Sequence, residues 1–549
     1  MTRFLVSAAL AAALAVPATA QRAAPAEPKT DPARLSDMMK TLASDEFGGR
    51  SPGTDGEKKT IAWSIAQFKA LGLEPAGPNG AWTQAVPLIH TRLGDGPVSA
   101  GALKLAQGTD VALTTVRPDP AVTIANAPLV FVGYGVSAPE AQWDDFKGQD
   151  LKGKVAVFLV NDPDFEAVAG DDAKGRFGDK RMTYYGRWTY KYEEAARRGA
   201  IGALIVHDTA GAGYPWSTAN ASNGENYDIV RGADDPRIAL QGWLSANAAA
   251  RLFAAEKLDL ADLRTKARSA SFQPVAMKAR FSARLPVTVE RIESANVLAK
   301  IPGRTRPQET VQFAAHWDAY GEGPADAAGK TIRPGANDDA LGVAGVLELA
   351  RLFKAGAAPD RTLVFALWTA EERGLLGSEW YAAHPVTPLA TTAANLTLDI
   401  LQTAGRAKDV ILVGAGQSSL EDLLADAARA QGRTVTPETA SERGLFYRAD
   451  HFSVVRRGVP SLQLMALGGA SDMRVGGRPA GQQWLDGYMA CYHKTCDAWT
   501  PSWNFIGAAE DVDLFHAMGS RLAKAGTWPA WRPTSEFVAI RAQTAAERR

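Results

Sequence analysis

Five side chains able to bind a metal or move a proton stand where apolar runs of this sequence end. His316 closes TVQFAAH, Glu371 and Glu372 follow RTLVFALW, and Asp399 lies near the end of ANLTLDIL. Asp338 opens the loop before LGVAGVLELARLFKAG. In open α/β sheets ligands bind beyond the carboxyl ends of the strands, so this is where a site belongs. Imidazole nitrogen and carboxylate oxygen suit zinc where thiolates are absent. Two zincs acting together need a bridging carboxylate, about two further ligands each and a shared water. With His493 added, the candidates supply two histidines, two terminal carboxylates and a bridging aspartate. Glu371 is then left uncommitted beside them to take a proton. Each residue alone is weak evidence, since a strand-end histidine or a Glu-Glu pair is commonly an ordinary loop residue. Together they support a metal site and no more.

The elements that must hold these residues alternate. Residues 310–316, 361–368, 394–401 and 409–414 read as strands; 341–356, 375–384 and 419–432 have helical spacing. Such alternation predicts an α/β layered sheet with helices on both faces. Upstream, 34–72 reads as helices around the glycine-rich FGGRSPGTDGEK. From about residue 125 to 280 the grammar differs: PLVFVGYG, KVAVFLV and IGALIVHD are short β-rich runs around the helical TYKYEEAARRGA. The expected organisation is one α/β domain in two parts, 34–124 and 281–535, interrupted by a β-rich insert at 125–280, with a flexible leader at 21–33 and a tail at 536–549.

The 549 residues contain 60 basic and 60 acidic side chains, and 46% are hydrophobic. This balance argues against a nucleic-acid partner or an anionic membrane surface. Arg3, the apolar run Phe4–Val16 and Ala18-Thr19-Ala20 read as a signal peptide over 1–20, which predicts export to the periplasm or the medium. An uncleaved N-terminal anchor is the other reading. Cys491 and Cys496 are the two cysteines; five apart in an exported chain, they suggest a local disulfide, with two free buried thiols as the alternative.

Six motifs now stand in order: HWD (316–318), GANDDALG (335–342), WTAEERGLLGS (368–378), LTLDIL (396–401), YRADHF (447–452) and CYHKTCD (491–497). In this order they resemble the di-zinc aminopeptidase family of clan MH, peptidase family twenty-eight, which includes bacterial leucyl-type aminopeptidases and glutamate carboxypeptidase II-like proteins. VFVGYG, GKVAVFLVNDPDF and MTYYGRWTYKYEEAARRGA make the insert similar to a protease-associated domain. The resemblance implies two Zn2+ per chain: His316 and Asp399 on one, Glu372 and His493 on the other, and Asp338 between them. It implies Glu371 as general base and then acid, Tyr492 as donor to the oxyanion, and Asp318 accepting from the second nitrogen of His316. It also implies a Cys491–Cys496 disulfide around the last histidine and a cis peptide after Asp338.

The sequence departs from the family twice. Asp339 adds a carboxylate that is either outer-shell or solvated. Ala449 removes a hydroxyl from the motif, leaving Arg448, Asp450 and His451 as substrate-side or outer-shell candidates. His451 either touches substrate or makes a structural hydrogen bond. The implied reaction is hydrolysis of peptide bonds by a bridging hydroxide, with an aminopeptidase acting on short peptides as the leading expectation. Dipeptidase or carboxypeptidase action on the same metals, a one-zinc glutaminyl cyclase-like enzyme and a non-catalytic receptor-like relative are the rivals. Tyr184, Tyr185, Arg187 and Trp188 are the insert's distinctive cluster, as a lid over the cleft or as a packed aromatic corner.

Overall fold

The computed structural model describes residues 28–232, 235–524, 526 and 528–548. The expected signal peptide lies outside these residues. A 15-stranded sheet runs through the molecule. Its first half is ordered Ser461–Leu464, Thr392–Leu398, Arg306–His316, Arg361–Trp368, all parallel, then Val275–Ile301 antiparallel. Every residue of Arg361–Trp368 and of Thr392–Leu398 is buried, as parallel strands covered on both faces must be.

Strand pleat assigns the two faces. Leu363, Phe365 and Leu367 join Val311, Phe313 and the helices Leu341–Ala355 and Ile506–Lys524 in the main core. Ala366 and Trp368 point the other way, with Ala314, Tyr381 and Val454. The observed class is therefore the expected α/β one, with helices on both faces of a mixed sheet.

The second half of the sheet is built largely from the residues expected to form the insert. Ala121–Phe131, Val155–Leu159, Gly202–Val206 and Leu240–Leu244 run parallel, so this unit is α/β and not simply β-rich. Its core draws on Val98, Ala100, Val111 and Leu113 and on Phe281, Ala283 and Leu285, beyond both expected boundaries at 125 and 280. The early strands Val98–Ala100 and Leu103–Lys104 are too short to show a period, and they are defined by pairing. The 27-residue strand Val275–Ile301 passes from one unit into the other.

Three further expectations change. Asp409–Leu412 pairs with Thr434–Pro437 in a separate two-stranded sheet, outside the main one. The expected tail is packed: Arg541 is buried and donates to the carbonyls of Leu389 and Thr392. At the other end, Thr30 of the expected leader is buried and bonds Asp513 through its amide and its hydroxyl. Among the described residues no helix is long and apolar enough to cross a membrane.

Candidate metal centre

His316 is the last residue of its strand and lies in register with Trp368, the last residue of the neighbouring one. Glu371 follows three residues later, and Asp399 directly follows the strand Thr392–Leu398. The shared register thus delivers an imidazole and three carboxylates to one edge of the sheet.

The expected ligands meet there in two groups: His316, Glu371 and Asp399, and Asp338, Glu372 and His493. The Asp338 carboxylate stands between the histidines. One oxygen lies 3.0 Å from His316 Nε2 and the other 3.2 Å from His493 Nε2. His493 Nε2 is also 3.2 Å from Glu372 Oε2, and Glu371 Oε2 is 3.9 Å from His316 Nε2. The second His316 nitrogen, Nδ1, lies 3.1 Å from the Asp318 main-chain carbonyl and 3.6 Å from its carboxylate. That carboxylate also accepts the amides of Glu371 (3.0 Å) and Glu372 (3.4 Å).

Hydrogen bonds tie the contributing loops together. Asp497 accepts the amides of Asn337 and Asp338 on its two carboxylate oxygens, and its carbonyl accepts from Ala336. The Asn337 side chain donates to Leu401 O and accepts from Leu401 N, joining the Asp338 loop to the Asp399 strand. Arg50, fully buried, donates to the carbonyls of Trp317, Leu42, Pro334 and Gly335. The Asp338–Asp339 peptide is cis, and Cys491 is disulfide-bonded to Cys496 around His493. Ala370 (φ 52°), Ile400 (φ 58°) and His493 (φ 61°) are left-handed, and each is a site residue or adjoins one. Such backbone costs about 1–3 kcal/mol per residue and survives where its surroundings over-determine it. These ties are that surround.

The charge balance fits a cation. Burial pushes Glu371 and Glu372 well above the carboxylate range and Asp399 up to about 8. Burial acts the same way on Asp338, yet hydrogen bonds from His316 and His493 hold it below the ordinary range. Asp399 Oδ1 is buried and has no hydrogen-bond partner among the described residues. An unmet buried oxygen among crowded carboxylates and two imidazoles is the donor set of a divalent metal.

The remaining candidates separate. Asp339 is fully buried, not solvated; it accepts the amides of His316 and Gly342. Asp450 is buried with Oδ1 unpartnered, and burial raises it to about 7. His451 has no exposed surface and sets its ring edge against Phe446, 4.9 Å between centroids. Neither of its ring nitrogens has a hydrogen-bond partner among the described residues. Arg448 is half-buried and its charge acts on Asp399 and Tyr492. The Tyr492 ring lies 3.6 Å from that of His493. His90, His207 and His384 take part in ordinary ring or carbonyl contacts.

Sequence reasoning missed four residues. Tyr320 covers the His493 ring at 4.6 Å, and Arg373 lies over Tyr320 at 5.1 Å. Arg50 and Asp497 hold the loops described above. Asp497 stands within CYHKTCD and Tyr320 two residues after HWD, so proximity to a motif was their signal. Arg50 carried none beyond its glycine-rich loop.

Residues 296–515 match the model of peptidase family M28. Over 105 residues the chain is 38% identical to a probable zinc metalloprotease of Pyrenophora teres f. teres, covering 19% of this chain and 22% of that protein. Over 211 residues it is 27% identical to leupeptin-inactivating enzyme 1 of Streptomyces exfoliatus, covering 37% of this chain and 43% of that protein. These matches span about a fifth and about two fifths of the two relatives. Among solved structures, an aminopeptidase from Aneurinibacillus sp. strain AM-1 superposes with a TM-score of 0.49 at 21% identity, covering 91% of this chain and 96% of that one.

Proposed function

Since residues 296–515 belong to peptidase family M28, we propose that the protein is a zinc-dependent exopeptidase, an aminopeptidase releasing N-terminal residues from short peptides. The observation that carries this is the two-sided Asp338 carboxylate, with one histidine nitrogen at each oxygen. It supports two metal positions, His316 and Asp399 holding one ion, Glu372 and His493 the other, and Asp338 shared. Bound zinc would polarise a peptide carbonyl and acidify a water.

The chain's own groups do the rest. Glu371, near His316 but bonded to none of the histidines, takes the proton of the attacking water and delivers it to the departing nitrogen. Tyr492, half-buried against His493, donates to the oxygen on which charge develops. Asp318 fixes Glu371 and Glu372 through their amides. Export by the signal peptide over 1–20 completes the proposal.

Glu371→Gln tests the assignment, because it keeps shape and removes the base. The expected result is unchanged zinc content and melting temperature, with kcat on a leucine anilide lowered about 10²–10⁴-fold. Near-normal turnover by this variant would overturn the role of Glu371.

A further inference from the structure

The two histidines of the centre are oriented by different means. The His316 side chain is 2% exposed, and its Nδ1 lies 3.1 Å from the Asp318 carbonyl. A metal-binding imidazole is ordinarily fixed in this way, through a hydrogen bond from its second nitrogen. His493 differs. Its side chain is 30% exposed, and its Nδ1 has no hydrogen-bond partner among the described residues. Rings flank it instead, Tyr492 at 3.6 Å and Tyr320 at 4.6 Å between centroids. Tyr492 is its neighbour in the chain. Tyr320 comes from the loop after His316, so its contact ties the His493 ring to a second loop of the site.

Arg373 holds Tyr320 in turn. Its Cζ lies 5.1 Å from the Tyr320 ring and 4.9 Å from the Tyr227 ring. At both distances a guanidinium is attracted to an aromatic face. Arg373 has no ion pair and no side-chain hydrogen bond among the described residues, so these two rings are its partners. Tyr227 is a fixed support. It stands opposite His90 across the strands Glu225–Ile229 and Thr83–Leu93, and the two rings stack at 4.3 Å, 8° from parallel. His90 Nδ1 lies 3.2 Å from Glu290 of the strand Val275–Ile301. Arg373 also sits on the turn that carries Glu371 and Glu372. Gly374 and Leu375 donate their amides to Glu371 O at 2.8 and 2.9 Å, and Ala370 and Leu376 pack with Val86, Leu88 and Ile229. The guanidinium therefore joins the loops of His316, Glu372 and His493 to the strand Glu225–Ile229.

We infer that Arg373 is a positioning residue for the metal position of Glu372 and His493: shared between Tyr227 and Tyr320, its guanidinium holds Tyr320 against the His493 ring. The stack does for His493 what the hydrogen bond to Asp318 does for His316. This deepens the zinc reading of the centre and rests on it. Arg373 acts through Tyr320 and not on the ion. The consequence is selective, because loss of the stack frees the His493 ring and leaves the support of His316 in place.

The test is equilibrium dialysis of the full chain against zinc buffers, with zinc per chain and melting temperature read on the same samples. The unaltered protein is expected to fill two positions. Arg373→Met removes the charge and should weaken the second zinc about tenfold while the first stays within about twofold. Arg373→Lys should recover part of the loss, since it keeps a cation without the planar stacking group. Tyr320→Leu should match Arg373→Met, whereas Tyr320→Phe keeps the ring and should stay within about twofold of the unaltered protein. Arg373→Met combined with Tyr320→Leu should lose no more than either alone, because both remove one stack. Should Arg373→Met fail to fold, the two Tyr320 variants carry the test by themselves. Equal weakening of both ions, additive losses, or an unchanged second zinc in Tyr320→Leu would each overturn the inference. The same curves separate it from the reading beneath it. An unaltered protein that takes up no zinc overturns the metal centre, and the stack's role with it. Two zincs with the selective loss but no peptide turnover sink the exopeptidase and keep the stack. Turnover with two zincs whose affinities ignore the variants does the reverse.

Discussion

The acidic floor around Asp338 and the seam around Arg456 both bury charge, and they dispose of it in opposite ways. At the seam, Arg456 pairs with Glu193 of the insert at 2.9 Å, Arg457 with Glu379 at 3.1 Å, and Arg231 with Asp228 and Asp235 at 2.7 Å each. Positive and negative groups there answer one another, across the two units at Arg456–Glu193 and at Arg231–Glu379 (3.9 Å) and within one unit at the other pairs. On the floor, Glu371, Glu372, Asp399 and Asp450 are all pushed upward by burial, and Asp399 and Asp450 each keep an unpartnered oxygen. A region that closes its own charge balance is built to hold two units together. A region that leaves the balance open is built to receive something.

The contrast breaks most sharply at Asp338. Asp338→Asn should lower zinc content below one ion per chain and reduce activity by at least about 10³-fold, more than any seam substitution. Metal analysis beside a peptidase assay checks this; two retained zincs would mean that the floor does not depend on a shared carboxylate. The seam should answer with stability instead. Arg456→Met leaves the half-buried Glu193 with only the Tyr184 hydroxyl and the more distant Arg197 as partners and is expected to cost about 1.5–3 kcal/mol in chemical denaturation, while zinc content stays unchanged. A cost under about 0.5 kcal/mol would place the pair with weak surface bridges.

The smallest effect is a slope. Burial depresses His451 to about 3, below its ordinary value of 6.5. The unfolded chain therefore binds this proton first as pH falls. The stability contributed by a neutral His451 is present above about pH 6.5 and is lost progressively toward pH 3. His451→Gln should flatten the stability profile there by up to about 1.4 kcal/mol per pH unit. An identical slope in the variant would mean that His451 is not held neutral.

Much of this was legible in residue order. The alternating apolar runs gave the layered α/β sheet, because a strand buried on both faces must be apolar throughout, as Arg361–Trp368 is. The ligand candidates were legible because metal chemistry restricts residue type and strand ends restrict position. The insert's start was not, since Val98–Ala100 and Leu103–Lys104 are strands only by virtue of their partners. The role of Asp318 was half legible: a carboxylate two residues from His316 was visible, but its bonds to the amides of Glu371 and Glu372 were not.

The sequence by itself determined the chemistry: which groups could hold zinc, which could move a proton, and the sheet that carries them. Tertiary structure alone decided how Asp338 divides its oxygens between two histidines, that His451 is fully buried, and that Arg456 meets Glu193 of the expected insert. The physical reason is that type and spacing are local properties. Charge balance depends on which distant side chains share a buried volume, and only the closed fold makes that sum.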